Sequence, residues 1–186
     1  NRRALNVKRR AEIVMQEYGG RIPSDPALGR KLPGVGTATA GAVAAFAFGR
    51  RVAFLETNIR RVFIHFFFPQ GRKVSDAEIL EKITATLPAR NVHEWYWALM
   101  DYGALALARI PNPNRRSAHY ARQPRFEGSR RQLRGRILAE VLTHGKLTLS
   151  QFRRLLPVSF EPETVHHVIA EMVAEGLVER RGRWLR

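Results

Sequence analysis

The chain has 186 residues, 45% of them hydrophobic, with 32 Lys and Arg against 16 Asp and Glu and a formal net charge of +16. This length allows one domain or two small ones, and the charge favours a polyanion as partner, nucleic acid before an anionic membrane surface. The chain contains no cysteine, which excludes disulfides, thiolate-bound zinc and a cysteine-ligated iron–sulfur cluster. Its longest apolar stretches are shorter than the roughly 20 residues that span a bilayer, so no membrane segment is predicted.

The first part of the chain predicts a helix, a glycine hairpin and a second helix. Residues 3–18 have helical spacing, and a short helix at 26–31 leads into Leu32-Pro33-Gly34-Val35-Gly36. A run of small residues then predicts a buried helix from Thr37 to about Phe48. Two glycines around one apolar residue leave backbone N–H groups free at a helix N-terminus, where the helix dipole favours an anion. We therefore expect the hairpin to bind a phosphate of nucleic acid.

Three more helices are predicted before residue 110. The first begins near Glu56 and runs through Phe68. The second opens with Ser75-Asp76-Ala77-Glu78, which has the pattern of a capping box, and ends at Leu87-Pro88. The third runs from about 92 to 109, and Gly103 is expected to loosen it.

The composition changes after Ile110. Residues 111–129 are rich in Pro, Asn, Ser and Arg, and Glu127 is their only acid. This pattern is typical of a linker that contacts a polyanion, with a solvated charge run as the alternative. Helices near 131–143, 148–155 and 162–175, followed by a tight hairpin at Arg181-Gly182, predict a winged helix-turn-helix that contacts DNA or protein.

Three sequence blocks follow one another in a characteristic order. After the hairpin and Thr39-Ala40-Gly41-Ala42 come Phe54-Leu55-Glu56-Thr57-Asn58-Ile59-Arg60-Arg61-Val62 and Ala98-Leu99-Met100-Asp101-Tyr102-Gly103-Ala104. Over about residues 2–109 these blocks resemble the helix-hairpin-helix DNA glycosylases of the endonuclease III superfamily, and most closely the MutY-type adenine glycosylases. The resemblance implies an N-terminally incomplete, mainly α glycosylase domain at 1–110. Together with the pattern of the later residues, the expected organisation is mainly α, with a basic linker at 111–129 and the winged helix domain at 130–186.

The resemblance also implies the site residues. The family's catalytic aspartate falls on Glu56, whose carboxylate would stabilise positive charge on the sugar as an N-glycosidic bond breaks. Asn58 falls on a family asparagine that orients this carboxylate, and for both residues a role at the helix start is the competing interpretation. The residues expected to contact DNA are Leu32, Gly34, Val35, Gly36, Thr37, Thr39, Arg60, Arg115, Arg116 and Arg122.

Departures from the family narrow the expected chemistry. Bifunctional members form a Schiff base through a lysine, but Ala38 stands at that position, so a monofunctional enzyme that uses water is expected. The family's four cluster-binding cysteines are absent, so no cofactor or metal is expected, and the arginines of 112–120 would take over DNA contact there. The family's upstream helices, with a glutamate that acts on adenine, precede the segment that matches Asn1; either the chain is a fragment or other segments replace them.

The sequence therefore predicts a monofunctional DNA N-glycosylase of base excision repair, whose partner is double-stranded DNA with a damaged or mispaired base. Adenine opposite 8-oxoguanine is the first candidate substrate, and uracil or thymine opposite guanine is the second. The main alternative is a non-catalytic DNA-binding protein, either a lesion sensor or a winged-helix regulator, and an RNA-binding factor is the third possibility. The expected form is a cytoplasmic, nucleoid-associated monomer without membrane contact.

Overall fold

The computed structural model describes residues 2–68, 71–155 and 160–186, and the chain forms two compact units, Arg3–Ala121 and Arg122–Arg186. The helices of the first unit are α1 (Arg2–Glu17), α2 (Pro26–Gly29), α3 (Thr37–Phe48), α4 (Thr57–Phe67), α5 (Asp76–Thr86) and α6 (Val92–Ala104). Two short 3-10 helices follow at Ala106–Arg109 and Pro113–Arg116. These bounds confirm the predicted helices, except that the last one ends at Ala104, just after Gly103. Along the described residues no helix has the length and apolar character needed to cross a membrane.

The small side chains of α3 let the following segment lie close to it. A Cβ built on Gly41 would lie 2.5 Å from the Cβ of Phe54, so only glycine permits this approach. The helix ends at Gly49, which has a φ of +61°, a conformation that glycine adopts without strain. The core around α3, α4, α5 and α6 is built from large apolar side chains, among them Phe54, Ile59, Phe63, Ile64, Ile79, Ile83 and Tyr96.

Tyr96 fixes the extended segment between α3 and α4. Its side chain is fully buried, and its hydroxyl accepts a hydrogen bond from the Phe54 N–H (3.2 Å) and donates one to the Val52 carbonyl (2.8 Å). Burial raises the pKa of the Tyr96 phenol, so the hydroxyl keeps its proton and its donor role. The Phe54 N–H and the Val52 carbonyl, which lie outside any helix, thus have the Tyr96 hydroxyl as their hydrogen-bond partner.

The segment after α6 packs back against earlier parts of the first unit. The Val74 N–H donates to the Arg116 carbonyl, and the Ala118 N–H donates to the Val74 carbonyl, each over 2.8 Å. Residues 113–118 therefore lie against the start of α5 and the end of α4. This pairing brings Asn114, which the sequence places in the basic linker, into the interior of the unit at 5% exposure.

The second unit combines helices with a small sheet. Its elements are α7 (Arg130–His144), β1 (Leu147–Thr148), α8 (Leu149–Leu155), α9 (Pro162–Ala174), β2 (Arg180–Arg181) and β3 (Trp184–Leu185). The strands are antiparallel in the order β1-β3-β2. The predicted helices and the hairpin at Gly182 are confirmed, whereas β1 is absent from the prediction because two residues give no periodic signal. The core of this unit includes Leu133, Ile137, Phe152, Val165, Ile169 and Met172.

The capping box at the start of α5 is present as predicted. Ser75 Oγ accepts a hydrogen bond from the Glu78 N–H (3.3 Å), and Glu78 Oε2 accepts one from the Ser75 N–H (3.0 Å). This backbone hydrogen bond, together with the contact from Arg72 Nη2 to Glu78 Oε1 at 2.7 Å, lowers the pKa of Glu78 to about 2.

The lowered pKa predicts a pH dependence of stability. Glu78 stabilises the folded state fully above its ordinary pKa of 4.5, and this contribution is lost as the pH falls toward about 2. We expect Glu78→Gln to lower the melting temperature at neutral pH, and the difference from the wild type to shrink through that range, as measured by circular dichroism. The control is Glu81→Gln, an exposed glutamate of the same helix. Parallel pH profiles for the wild type and Glu78→Gln would contradict the assignment.

Candidate functional site

Glu56 caps the N-terminus of α4 with its own side chain. Its Oε1 accepts hydrogen bonds from the backbone N–H groups of Asn58 (2.5 Å) and Ile59 (2.7 Å). Among the described residues, Oε2 has no hydrogen-bond partner. The competing role predicted for Glu56, an acid that stabilises the start of a helix, is therefore performed by Oε1 alone. The other oxygen is left for a ligand, at a helix end that favours negative charge.

Asn58 orients the carboxylate through its backbone. The Asn58 N–H is one of the two donors to Glu56, while the Asn58 side chain forms no hydrogen bond within the described parts of the chain. The side-chain contact that the sequence predicts is thus replaced by a main-chain contact. Because a backbone donor in the first turn of a helix cannot rotate away, it fixes the carboxylate more firmly than an amide side chain would.

Gly103 supports the turn of Glu56 and Asn58 from α6. A Cβ built on Gly103 would overlap the backbone carbonyl oxygen of Asn58, so α6 can approach α4 this closely only at a glycine. The Gly103 carbonyl also accepts a hydrogen bond from Arg61 Nη1 (2.6 Å). The sequence identifies Gly103 as a weakness in a helix, but it is the contact point between two helices.

Asn114 also supports the turn at the start of α4. Its Nδ2 donates to the Thr57 carbonyl (2.9 Å), and its N–H donates to Asn112 Oδ1 (3.1 Å). Sequence reasoning missed this residue because the contact joins positions 57 residues apart. The only signal available was the Asn-Pro-Asn pattern, which is typical of a turn closed by an asparagine side chain.

The glycine hairpin presents free donors beside α3. Gly34 has a φ of +70°, and the Val35 N–H donates to the Leu32 carbonyl (3.1 Å). The Val35 N–H, expected to face a phosphate, therefore closes the turn instead, and Leu32 lies in the core at 7% exposure. Gly36 is the N-cap of α3 and has no side chain to fill that role. In the described structure its N–H and that of Gly34 have no acceptor.

The remaining residues expected to contact DNA differ in their availability. Thr37 and Thr39 are exposed in the first turn of α3. Arg60 forms a two-pronged ion pair with Asp76, with Nε–Oδ1 and Nη2–Oδ2 distances of 3.1 and 2.7 Å. Arg116 Nη2 donates to the Phe68 carbonyl (2.8 Å) at the end of α4.

Two expected contacts remain exposed side chains, Arg115 in the first unit and Arg122 in the second. The described residues contain no group of three or more His, Asp or Glu side chains placed to hold a metal ion. The candidate site of the first unit therefore consists of the Glu56 carboxylate and the donors of the hairpin.

The close contact at Gly103 predicts the effect of a single methyl group. Gly103→Ala must push α6 away from the turn of Glu56 and Asn58, so we expect a loss of about 1–3 kcal/mol in the free energy of unfolding. Gly135→Ala is the matched control, because Gly135 is also helical and a Cβ there meets nothing within 4 Å. The control should gain about 0.5–1 kcal/mol from helix propensity. Urea denaturation measures both, and equal stabilities for the two variants would contradict the proposed contact.

Comparison with known proteins gives relatives of one functional class. No family model matches the chain. It is 31% identical over 202 residues to the adenine DNA glycosylase of Mycobacterium tuberculosis, covering 96% of this chain and 65% of that protein. It is 33% identical over 110 residues to the thymine/uracil-DNA glycosylase of Methanothermobacter thermautotrophicus, covering 58% of this chain and 50% of that protein.

Endonuclease III of Escherichia coli is 32% identical over 112 residues, covering 60% of this chain and 52% of that protein. Among solved structures, that of a thermostable thymine-DNA glycosylase matches with a TM-score of 0.53 and 30% identity, over 59% of this chain and 52% of that one. The chain thus spans between half and two thirds of the length of these relatives. The alignment with the mycobacterial protein is long enough to include both units, and the others are not.

Proposed function

We propose that this chain, a homologue of the helix-hairpin-helix DNA glycosylases, hydrolyses the N-glycosidic bond of a base flipped out of double-stranded DNA. The observation that carries this proposal is the geometry of Glu56. Two backbone donors hold one oxygen of its carboxylate while the other is unpartnered within the described residues, and the sequence resemblance assigns the family's catalytic acid to this position.

The fixed carboxylate suits the charge that develops in this reaction. When the bond between the base and C1′ breaks, the base leaves with the electron pair and the sugar becomes an oxocarbenium-like cation. Glu56 would stabilise this cation, and water would add to C1′ and release a proton, giving the free base and an abasic sugar. Such stabilisation is effective because the carboxylate is in place before the charge appears.

The hairpin would hold the DNA through one backbone phosphate. The N–H groups of Gly34 and Gly36 lie next to the first turn of α3, where Thr37 and Thr39 are exposed. A Cβ on Gly36 would meet nothing within 4 Å, so this position is open to a phosphate oxygen. Arg115, an exposed side chain of the first unit, would add a positive charge.

The enzyme would act without cleaving the strand. A Schiff base with the sugar needs an amine beside the reaction centre, and the second residue of α3 is Ala38. Water is therefore the nucleophile in this proposal, and the product is an intact strand with an abasic site.

Adenine opposite 8-oxoguanine is the substrate that we favour. The relative whose alignment includes both units is an adenine DNA glycosylase. Uracil or thymine opposite guanine is the second candidate, because a thymine/uracil-DNA glycosylase aligns at similar identity and a thymine-DNA glycosylase has a similar fold.

Substitutions of Glu56 test the chemistry. Glu56→Gln keeps an oxygen that can cap α4 but removes the charge, so we expect base release to fall by about 10²–10³-fold while duplex binding is retained. Glu56→Asp keeps the charge and should retain measurable release. The rates are measured in single-turnover assays on three duplexes, which carry adenine opposite 8-oxoguanine, uracil opposite guanine or thymine opposite guanine. Alkali then cleaves the strand at each abasic site. Glu94→Gln, an exposed acid in the first turn of α6, is the control.

Two results would contradict the proposal in different ways. Strand cleavage before alkali would show that the enzyme has lyase activity. Tight duplex binding without base release from any of the three substrates would favour the non-catalytic DNA-binding protein.

A substitution at Gly36 tests phosphate binding by the glycine hairpin. Gly36 has a φ of −87°, which alanine adopts freely, so Gly36→Ala should fold normally and place its methyl group where the phosphate binds. We expect duplex affinity to fall about tenfold, as for a lost hydrogen bond to a charged group, with only a small decrease in melting temperature because alanine is a poorer N-cap than glycine. Gly135→Ala serves as control. Unchanged affinity for Gly36→Ala in an electrophoretic mobility assay would place the DNA elsewhere.

A further inference from the structure

Three of the four arginines of α7 form ion pairs within the second unit. Arg130 Nη2 lies 2.9 Å from Glu171 Oε2, and Arg136 Nε lies 2.9 Å from Glu140 Oε1. Arg134 pairs with Glu175 and also approaches Glu171 at 3.7 Å. The fourth, Arg131, donates to the Pro124 carbonyl (3.1 Å). The three paired arginines offer a polyanion little free charge.

A cleft of the second unit is lined by two further arginines, Arg180 and Arg183. This cleft of about 300 Å³ opens between α9 and the β2–β3 hairpin, next to β1. Its polar lining consists of Thr148, Ser150, His166, Arg180 and Arg183, and none of its lining residues is acidic. Among the described residues, Arg180 and Arg183 have no ion-pair partner.

The arginines of the β2–β3 hairpin and its C-terminal end make two kinds of contact. Arg181 and Arg186 pair with Glu179, with N–O distances of 3.5 and 2.6 Å. The two arginines that line the cleft are held differently: Arg180 Nε donates to the Gly182 carbonyl (3.3 Å), and the Arg183 guanidinium lies 5.3 Å from the centre of the Trp184 ring. Such contacts restrain both side chains without consuming their charge.

The Trp184 ring brings a further cation to this region. Lys146 Nζ also lies 5.3 Å from the ring centre. The same indole therefore has two positive charges near it. A lining of guanidinium groups and hydroxyls beside an imidazole offers hydrogen-bond donors to anionic oxygens, and arginine suits the two-pronged binding of phosphate.

We propose that this cleft binds a backbone phosphate of the duplex on which the first unit acts, so that the second unit is a DNA-contacting module. This inference rests on the proposed function, which makes duplex DNA the phosphate source. The apolar side chains of Ile169 and Leu185 complete the cleft lining and suit the deoxyribose attached to the phosphate. The contact is independent of sequence, because it reaches no base edge.

The salt dependence of DNA binding tests the cleft in the full chain. The double variant Arg180→Gln/Arg183→Gln should bind an undamaged duplex about tenfold more weakly near 0.1 M salt. The slope of log K against log salt is negative, and its magnitude should decrease by about 0.9, the value for one lost phosphate contact. The matched control is Arg181→Gln/Arg186→Gln, which removes the same charge from the same hairpin but only from residues paired with Glu179. Base release by the control variant should match that of the wild type.

The outcomes separate this inference from the proposed function. Equal slopes and affinities for the two double variants would overturn the cleft as a phosphate site, even if the wild type releases base normally. Stronger competition by RNA than by duplex DNA for the cleft-dependent binding would also overturn it. A wild type that neither binds the duplex nor releases a base would refute the proposed function itself. The melting temperatures of both variants should match the wild type, because all four arginines are exposed.

Discussion

The turn that opens α4 is the constraint on which the first unit depends. Three contacts hold it: Tyr96 of α6 fixes the segment before it, Gly103 of the same helix lies against the Asn58 backbone, and Asn114 binds the Thr57 carbonyl. Glu56 completes the arrangement by capping the helix. The carboxylate proposed to act on DNA is therefore positioned by the interactions that stabilise the fold, so its geometry and the stability of the unit should change together.

The two helix N-termini of the site use the same physical property in opposite ways. At α3 the cap is Gly36, which has no side chain, and the N–H groups beside it are left for an external anion. At α4 the cap is Glu56, which supplies its own anion to Asn58 and Ile59. In the proposed function the first arrangement would bind a DNA phosphate, whereas the second would fix the catalytic carboxylate.

Net charge alone does not locate the DNA-binding surface. The chain carries a formal charge of +16, but many of its arginines bind their own chain. Arg60 pairs with Asp76, Arg116 donates to the Phe68 carbonyl, and three arginines of α7 pair with glutamates. What remains for a polyanion is a smaller set, which includes the hairpin donors and the arginines of the β2–β3 hairpin that have no ion pair in the described structure.

Local sequence patterns determined the helices, the capping box of Ser75 and Glu78 and the glycine hairpin, because spacing, caps and turns act between residues close in the chain. The block order pointed to Glu56. Tertiary structure alone decided that Gly103 is a packing contact against Asn58, that Asn114 is buried support for Thr57 and that Arg134 pairs with Glu175. These partners are far apart in the sequence, the last two pairs by 57 and 41 residues, and local periodicity carries no information about such pairs.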